Sequence, residues 1–559
     1  MRQGLLTAAV LACTAGASCV VQVAPASGNP VTADVPETLR ASLDRATRQA
    51  VSDPALRGAT AGVVLIDLES HGLLTEHRGE APMSPASNMK VLTTAAALEV
   101  LGPGFTFATT LSLLPPPPST HRADHAHSPP SLLLTGTGDP AFGDATLLAQ
   151  RGLDPDLMLD QWVAAVEATG QRVFGKLYVD DAIFDRVFTH PEWPADQFHR
   201  HWSAPVAGLS FNGNCLTVHA RPGATAAARA NLSVYPLFSG IEVVNKTRSG
   251  PGQTFWGTRA RESNRFTFLG EVKHKGAPVR VPVHDPPVLL AAYLREKLAG
   301  RGIQVGDIER VRPDAAWPPP VEAGRLDRVP AEAQPLHRVR TSLLSVLDRT
   351  NQASTNHYAE ALLKHLGWRA TGAAGSFQSG GSAVLAFLQE ILGDTSEVSA
   401  VTVVDGSGLS RGNRVSAEVL ARTLAHATAD PERADAFLGT LSTGGVNGTL
   451  RRRFKDLPDQ VVVRGKSGYI RSVSTLSGVL ELAAAEPAAP PRRYAFAILF
   501  NGTSGKVSNR TLKQVQDRLV RTWARHLMDH HRNAERSAEV PSGAGTRQAA
   551  SRIATISAP

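Results

Sequence analysis

Two side chains that could together cleave an acyl bond stand three residues apart near the start of the chain. Ser87 carries a hydroxyl and Lys90 an amine, and the Met, Leu and Ala residues that follow favour a helix, so both groups should share one helix face. A serine hydroxyl is a weak nucleophile, but a lysine that loses its proton through burial or a neighbouring cation can act as its base. The pair therefore predicts a serine nucleophile activated by a lysine.

Two further motifs follow in the sequence, Ser354–Asn356 and Lys466–Gly468. Each has an ordinary alternative explanation. A Ser-x-x-Lys pair should occur about once by chance in a chain of this length, Ser354 could cap a helix that begins near Asn356, and Lys466–Gly468 could be a turn. Only the ordered set, with a helix at the first motif and a strand at the third, favours one catalytic site.

Length, composition and charge limit the classes of protein to consider. The chain has 559 residues, of which 42% are apolar and 19% charged, so we expect two or three globular domains. A formal charge of +8 favours polyanionic partners. No recognisable nucleic-acid module accompanies that charge, so we expect no nucleic acid and favour anionic cell-wall polymers. An arginine-rich composition without such a partner explains the charge equally well.

The first residues have the pattern of an export signal. A short basic start precedes an uncharged stretch over 5–23, and the small residues Ala24–Ala26 suit signal cleavage. We therefore predict a signal peptide over 1–26 and a protein exported to the bacterial cell envelope, periplasmic or extracellular. Lipidation at Cys13 is the alternative. Removal of the signal leaves only Cys215, so no internal disulfide is expected.

Hydrophobic periodicity predicts the elements that position the motifs. Apolar residues at helical spacing indicate a helix within 35–57, and two β-branched runs around a turn indicate a hairpin over 61–75. Leu512 to Leu527 recur at steps of three or four, which predicts a final amphipathic helix packed on a sheet. The strands expected before it are 461–466, 473–482 and 494–500.

A long segment separates the first two motifs, since Ser354 follows Ser87 by 354 − 87 = 267 positions. If both motifs build one site, something domain-sized is inserted between them. Most of that segment, 131–335, is strand-rich with a late helix near 287–298. The Pro-rich stretch 114–130 should be an exposed loop, in which solvated imidazoles explain His121, His125 and His127 better than a metal site does.

In this order the three motifs resemble those of the class C low-molecular-mass penicillin-binding proteins, the D-alanyl-D-alanine carboxypeptidase/endopeptidase family. The resemblance covers residues from about 35 to 530. Other segments resemble that family in its order, and they are Gly136–Pro140, Asp180–Phe184, Ser203–Val206, Asp405–Arg411 and Gly448–Leu450.

The resemblance implies an α/β fold of the α+β type. In it, a discontinuous penicillin-binding/β-lactamase-like transpeptidase domain, an antiparallel sheet flanked by helices, carries one or two strand-rich inserted domains. The expected division is a signal peptide (1–26), the first part of the transpeptidase-like domain (27–110), the insert (111–335), the second part (336–532) and a disordered tail (533–559).

The resemblance also assigns roles to the motif residues. Ser87 would attack the carbonyl of the penultimate D-alanine, and Lys90 would take its proton. Ser354 would shuttle a proton to the leaving amine, while Asn356 would bind the substrate amide or orient Lys90. Lys466 would discourage protonation of Lys90 and attract the terminal carboxylate of the substrate.

Four further residues are expected to bind substrate. The backbone N–H groups of Ser87 and Tyr469 would form the oxyanion hole, and Ser467 with Gly468 would meet the terminal carboxylate. The family usually has Thr at the positions of Ser467 and Tyr469, so rate and substrate preference should differ here more than reaction class.

Two charged residues align with family positions near the pocket for the side chain of the stem peptide. Asp180 could hold a free ammonium group and Arg411 a carboxylate, which suits diaminopimelate.

We therefore expect an exported serine D-Ala-D-Ala carboxypeptidase, with endopeptidase action on cross-links as an additional activity. Its partners would be peptidoglycan stem peptides ending in D-Ala-D-Ala and β-lactam antibiotics, and it would need no metal or organic cofactor. Two alternatives remain open. A serine β-lactamase would need rapid deacylation, and a non-catalytic cell-wall-binding protein would keep the fold with an impaired site, to which only Ser467 and Tyr469 point.

Overall fold

The computed structural model describes residues 36–116, 129–311, 332–484 and 489–539. The strands within these ranges are β1 (Thr60–Asp67), β2 (Leu73–His77), β3 (Thr106–Leu114), β4 (Ser131–Gly136), β5 (Val173–Phe174), β6 (Leu177–Asp180), β7 (Cys215–Arg221), β8 (Asn231–Tyr235), β9 (Glu242–Ser249), β10 (Trp256–Arg259), β11 (Arg265–Val272), β12 (Val279–Pro282), β13 (Gln304–Val305), β14 (Ile308–Arg310), β15 (Gln334–Ser342), β16 (Ser442–Thr443), β17 (Val461–Ile470), β18 (Val473–Leu482) and β19 (Arg492–Asn501).

The α-helices in the same ranges are α1 (Glu37–Val51), α2 (Met89–Leu101), α3 (Ala145–Ala149), α4 (Pro155–Glu167), α5 (Pro286–Ala299), α6 (Leu343–Asn351), α7 (Asn356–Thr371), α8 (Phe377–Leu392), α9 (Ser396–Ser399), α10 (Ala417–Ala427), α11 (Pro431–Thr440) and α12 (Asn509–Glu539).

The largest sheet joins strands from both ends of the chain. Its order is β16-β17-β18-β19-β1-β2, and every neighbouring pair is antiparallel. The N-terminal hairpin joins this sheet through β1, where Thr60 lies opposite Asn501 of β19. The predicted hairpin, the three predicted C-terminal strands and the antiparallel sheet are therefore all confirmed.

Helices α1 and α12 cover one face of this sheet. The residues of α12 that recur at steps of three or four are buried, and they share one apolar cluster with side chains of β1, β18 and β19. This burial confirms the predicted final helix, because a helix with one apolar stripe must pack that stripe against another element. The buried residues are Leu512, Val515, Leu519, Trp523 and Leu527.

Helix α2 is buried under the opposite face of the sheet. Every side chain from Met89 to Leu98 is buried, and α6, α7, α8 and α10 pack around the helix. A helix that is apolar on all sides is stable only when protein surrounds it. The helix that carries the first motif therefore lies in the middle of the molecule.

The segment between the first two motifs builds a second sheet in the order β14-β6-β4-β3-β15. Strands β3 and β15 pair antiparallel from Leu113 opposite Gln334 to Thr106 opposite Ser342. The predicted boundaries at 110 and 335 cut through both strands, so the sheet extends further along the chain in both directions than the composition indicates. The smaller sheets of this segment are β10-β11-β9, β12-β7-β8 and β13-β5.

The C-terminal boundary also differs from the prediction. Helix α12 continues to Glu539, beyond the tail predicted from residue 533, because Ala534, Glu535 and Arg536 favour helix. The predicted signal peptide and the three loop histidines lie outside the described residues. Among the helices that the structure describes, none combines the length and apolar character that a membrane crossing requires.

Truncation of Leu519 tests how far α12 stabilises the sheet that carries the third motif. Leu519 is 2% exposed, and replacing a buried leucine by alanine removes apolar contacts and leaves a cavity. We expect Leu519→Ala to lower the free energy of unfolding by about 2–5 kcal/mol. Urea unfolding followed by fluorescence measures this, with Arg525→Ala on the exposed side of the same helix as the control, expected within about 0.5 kcal/mol of the parent. Equal losses in both variants would contradict this account of the packing.

Candidate active site

Ser87 lies in a short 3₁₀ turn, Ala86–Asn88, that leads directly into α2. The turn is backed by a tight contact with the loop around Gly408. A Cβ on Gly408 would lie 1.7 Å from the Ala86 carbonyl oxygen, and Gly408 has φ +82°, so only glycine allows this approach. Ser87 therefore lies directly before the predicted helix, and Lys90 lies in its first turn.

The sheet anchors the chain just before Ser87. The Ser84 N–H donates to Asn501 Oδ1 at 2.9 Å, and the Asn501 amide donates back to the Ser84 carbonyl at 3.0 Å. The Thr475 hydroxyl donates to the Pro85 carbonyl at 2.9 Å. Strands β18 and β19 thereby hold the approach to the nucleophile in place.

Lys90 is fully buried and uses all three of its ammonium donors. Its Nζ donates to Ser87 Oγ at 3.1 Å, to Asn356 Oδ1 at 2.8 Å and to the Ser407 carbonyl at 2.8 Å. Burial lowers the pKa of Lys90 from 10.5 to about 8, although the carboxylates of Glu360 and Asp405 oppose this shift. An amine with this pKa is neutral often enough near pH 7–8 to accept the Ser87 proton.

The second motif meets the third motif beside Lys90. Ser354 has φ +57°, a left-handed conformation, and its hydroxyl accepts a hydrogen bond from Lys466 Nζ at 2.8 Å. Thr355, not Ser354, is the N-cap residue of α7, and its side chain makes no capping bond. Lys466 lies within β17. Neither the cap nor the turn explanation describes these two motifs.

The Asn356 side chain is fixed at both ends. Its Oδ1 accepts from Lys90, and its Nδ2 donates to the Trp202 carbonyl at 2.9 Å. Of the two roles predicted for Asn356, this arrangement supports orientation of Lys90.

Lys466 is as deeply buried as Lys90. Its Nζ donates to Ser354 Oγ and to the Ser467 carbonyl, both at 2.8 Å. Burial, followed by repulsion from Lys90 and Lys513, lowers the pKa of Lys466 well below 10.5. The free site therefore resists holding two ammonium charges at once.

Strand β17 extends beyond its short partner strand β16, and the extension passes close to Ser87. β16 pairs only with Arg464 and Gly465, and the following residues lie against the turn that holds Ser87. A Cβ on Gly468 would lie 2.2 Å from Thr475 Oγ1 and 2.9 Å from the Ser87 nitrogen. Glycine at position 468 therefore lets the strand approach the backbone N–H of Ser87.

A cavity of about 580 Å³ opens over the nucleophile. Ser87, Asn356, Trp202, Arg411 and Tyr469 are among the residues that line it. The Arg411 guanidinium donates to the Arg471 carbonyl at 2.9 Å, which holds it at the cavity wall. The structure thus brings most of the predicted site residues to one place.

Asp180 is the exception. It is the last residue of β6, it is 0% exposed, and its Oδ1 accepts from the Ala182 N–H at 3.1 Å. Asp180 does not line the cavity, so the predicted contact with a substrate ammonium is not possible in this arrangement. Its carboxylate instead helps to shape the turn after the strand.

Glu360 is a residue of the site that the sequence analysis missed. It is 0% exposed, and its carboxylate accepts from the N–H groups of Gly406 and Ser407 at 2.8 and 2.9 Å. The Ser407 carbonyl on that turn accepts from Lys90. Burial raises the pKa of Glu360. One available signal was an acid four residues after Asn356, and therefore on the same face of the same helix.

Asp405 holds the other half of this loop. Its Oδ1 accepts from the Gly408 N–H and the Asn413 amide, both at 2.8 Å. Its Oδ2 accepts from the Ser410 N–H at 2.6 Å and the Trp193 indole at 2.9 Å.

Within the described ranges, no group of three or more His, Cys, Asp or Glu residues is arranged to hold a metal ion.

Comparisons with known proteins agree with this geometry. The model of the D-Ala-D-Ala carboxypeptidase 3 (S13) family matches residues 40–526. A D-alanyl-D-alanine carboxypeptidase of Actinomadura sp. (strain R39) is 31% identical over 474 residues, covering 81% of this chain and 80% of that protein.

The solved structures give the same fold. The crystal structure of penicillin binding protein 4 from Haemophilus influenzae matches with a TM-score of 0.65 at 21% identity, over 87% of this chain and 99% of that one. A second structure of that protein, in complex with a β-lactam, matches with a TM-score of 0.60 at 21% identity and the same coverage. This similarity confirms the predicted fold class.

The pH dependence of acylation tests whether Lys90 is the base. Only neutral Lys90 can accept the Ser87 proton, so the rate should rise with pH through the pKa of about 8 and level off above it. Stopped-flow measurement of acylation by benzylpenicillin between pH 6 and 10 gives the midpoint. Lys506→Ala, which removes an exposed lysine, should leave that midpoint unchanged. A rate still rising steeply at pH 10, as the ordinary lysine value of 10.5 predicts, would exclude a desolvated base.

Glu360→Gln tests the negative charge that opposes the shift of Lys90. The carboxylate raises the pKa of Lys90, so its removal should move the midpoint of the acylation profile to lower pH, by about one unit. Glu360→Asp keeps the charge on a side chain that is shorter by one methylene. The midpoint of its acylation profile should stay nearer the parent value. Both variants disturb the same two backbone contacts, so a purely structural role would give them equal midpoints.

Proposed function

The chain belongs to the D-Ala-D-Ala carboxypeptidase 3 (S13) family, and from this premise we propose that Ser87 is the nucleophile of its reaction. Members of this family are serine-type D-Ala-D-Ala carboxypeptidases, and so is this protein. The observation that carries the assignment is the contact of 3.1 Å between Ser87 Oγ and the fully buried Nζ of Lys90. No additional base is needed, because burial already lowers the pKa of this lysine.

Acylation begins when Ser87 Oγ attacks the carbonyl carbon of the penultimate D-alanine. The proton of the hydroxyl passes to neutral Lys90, and the carbonyl oxygen takes up the negative charge. The backbone N–H groups of Ser87 and Tyr469 would stabilise that charge as the oxyanion hole. Loss of one such donor typically raises the barrier by about 2.7–4 kcal/mol.

The leaving D-alanine needs a proton on its amine. Ser354 is suited to deliver it, because its hydroxyl contacts Lys466 Nζ at 2.8 Å and its motif also supplies Asn356, which contacts Lys90. The hydroxyl would give its proton to the amine and recover the proton that Lys90 took from Ser87. The peptide bond breaks, free D-alanine leaves, and the acyl-enzyme remains on Ser87.

The terminal carboxylate of the substrate would complete the charge balance of the site. Burial strongly lowers the pKa of Lys466, and a carboxylate beside it would favour the ammonium form. A charged Lys466 in turn disfavours protonation of Lys90. Substrate binding would therefore prepare the base, with Ser467 and Gly468 meeting the same carboxylate.

Water would attack the acyl carbonyl and give a proton to Lys90, which is neutral again once the amine has left. The ester bond to Ser87 would break, the shortened peptide would leave as a carboxylic acid, and Lys90 would pass that proton to Ser87 Oγ. If the leaving group is the side-chain amine of a second stem peptide, the same steps cleave a cross-link, which is an endopeptidase reaction. The Arg411 guanidinium at the cavity wall is suited to the carboxylate of a diaminopimelate side chain. The partner for the ammonium of that side chain is not Asp180, which is buried elsewhere.

Two further properties follow from this proposal. A β-lactam, whose ring carbonyl and carboxylate imitate the D-Ala-D-Ala end, would acylate Ser87. The protein would act in the bacterial cell envelope, since its substrate lies outside the cytoplasm, and this agrees with the export signal predicted over 1–26.

Intact-mass spectrometry with benzylpenicillin tests the proposal. The parent protein should gain one penicillin mass, Ser87→Ala should gain none, and Ser399→Ala, which removes an exposed serine, should react like the parent. The parent should also release D-alanine from a diacetylated Lys-D-Ala-D-Ala peptide.

The other results have distinct meanings. Penicillin consumed without an adduct would indicate a β-lactamase. A folded parent with neither adduct nor turnover would indicate a non-catalytic wall-binding protein. An adduct that persists in Ser87→Ala would assign the nucleophile to another residue.

A further inference from the structure

A strip of aromatic and basic side chains leads away from the catalytic cavity. We define it as the aromatic rim: Phe198, His199, Arg200, Trp202, Trp256 and Arg261. Trp202 lines the cavity that contains Ser87, and its indole donates to Gln197 at 2.9 Å. The rim therefore starts where a bound stem peptide would end.

Ring contacts connect residues 198–199 to the β10-β11 hairpin. The Phe198 and His199 rings lie 5.6 Å apart, and the His199 and Trp256 rings lie 6.1 Å apart. The Arg261 guanidinium lies 4.7 Å from the centre of the Phe198 ring. The 198–202 loop and the β10-β11 hairpin thus form one continuous surface.

Both indoles of the rim are exposed to solvent. Trp202 is 36% exposed and Trp256 is 39% exposed. Indole rings bury a large apolar area in most proteins, and exposed ones are concentrated at binding surfaces. Neither ring is needed to close an apolar core, because both stand at its edge.

The basic groups of the rim have no acidic partner. Arg261 donates to the Ala195 carbonyl at 3.1 Å, and the Arg200 guanidinium lies 5.8 Å from the Trp202 ring. Among the described residues, no carboxylate forms an ion pair with either arginine. Their N–H groups are therefore available to acceptors on a ligand, while their planes lie near aromatic rings.

We propose that the aromatic rim binds the glycan strand of peptidoglycan next to the stem peptide that is being cleaved. This inference rests on the proposed function, which puts the stem peptide in the cavity beside Trp202. Pyranose rings present flat C–H faces that suit indoles, and acetamido carbonyls of the sugars accept hydrogen bonds from arginine. Two exposed arginines among four aromatic rings suit an uncharged polar polymer better than a polyanion, which would need a larger cluster of cations.

A sedimentation experiment tests binding directly. Full-length mature protein carrying Ser87→Ala is mixed with insoluble peptidoglycan that has been stripped of anionic polymers. Adding Trp256→Ala should weaken retention about tenfold, as expected for an aromatic residue at the centre of an interface. Leu237→Ala removes an apolar side chain that is 59% exposed outside the rim, and it should not change retention. Peptide-free oligomers of N-acetylglucosamine should compete.

Kinetics separate this role from a structural one. With Ser87 intact, Trp256→Ala and Arg261→Ala should keep the parent kcat/KM on a sugar-free D-Ala-D-Ala peptide and lose about tenfold in kcat/KM on polymeric peptidoglycan. Acylation by benzylpenicillin confirms that each variant is folded. Trp256→Phe, which keeps an aromatic face, should recover most of the loss.

Three results would overturn the proposal. These are unchanged retention and turnover in both rim variants, an equal loss on the peptide and on the polymer, or retention that requires the anionic polymers and vanishes with salt. Failure of the proposed function gives a different result, because the parent protein would then release no D-alanine from the sugar-free peptide. The retention assay does not depend on that result.

Discussion

The structure depends on keeping one lysine ammonium out of water beside a serine. Moving a charged group into a protein interior is costly unless hydrogen bonds and nearby charges compensate. At Lys90 the compensation comes from Ser87, Asn356 and Ser407. These three partners belong to the turn before α2, to α7 and to the loop before α10. Sequence segments that are far apart must therefore meet at one atom, and the burial that lowers the pKa of Lys90 is a consequence of that meeting.

Close backbone approaches make this meeting possible. Gly408 brings the 405–408 loop against the turn that holds Ser87, and Gly468 brings β17 against the same turn from the other side. A methyl group at either position would overlap backbone or side-chain atoms. Lys466, two residues before Gly468, is thereby placed where burial and the charge of Lys90 lower its pKa. The glycines thus determine the electrostatics of the site, although they carry no functional group.

Local patterns predicted the parts of this arrangement that local physics controls. The hairpin, the strand of Lys466 and the helix from Leu512 follow from apolar periodicity, and the catalytic motifs follow from residue types in a fixed order. Local patterns did not predict the long-range contacts. The pairing of β3 with β15 joins residues more than 200 positions apart, so composition placed the boundaries inside both strands. Asp180 and Glu360 show the same limit, because sequence alone does not reveal that both carboxylates are buried and that each supports a backbone turn.

The inserted segment takes part in the catalytic arrangement and is more than an attachment to it. The Trp202 carbonyl holds the Asn356 amide, the Trp193 indole donates to Asp405, and Lys364 of α7 donates to Asp185 at 2.6 Å. Each contact joins the insert to an element that surrounds Lys90. The Asn356 amide can present its oxygen to Lys90 only while its nitrogen has another acceptor, and the insert supplies that acceptor. A change in the insert therefore also affects the active site, because the orientation of Lys90 depends on the Trp202 carbonyl of the insert.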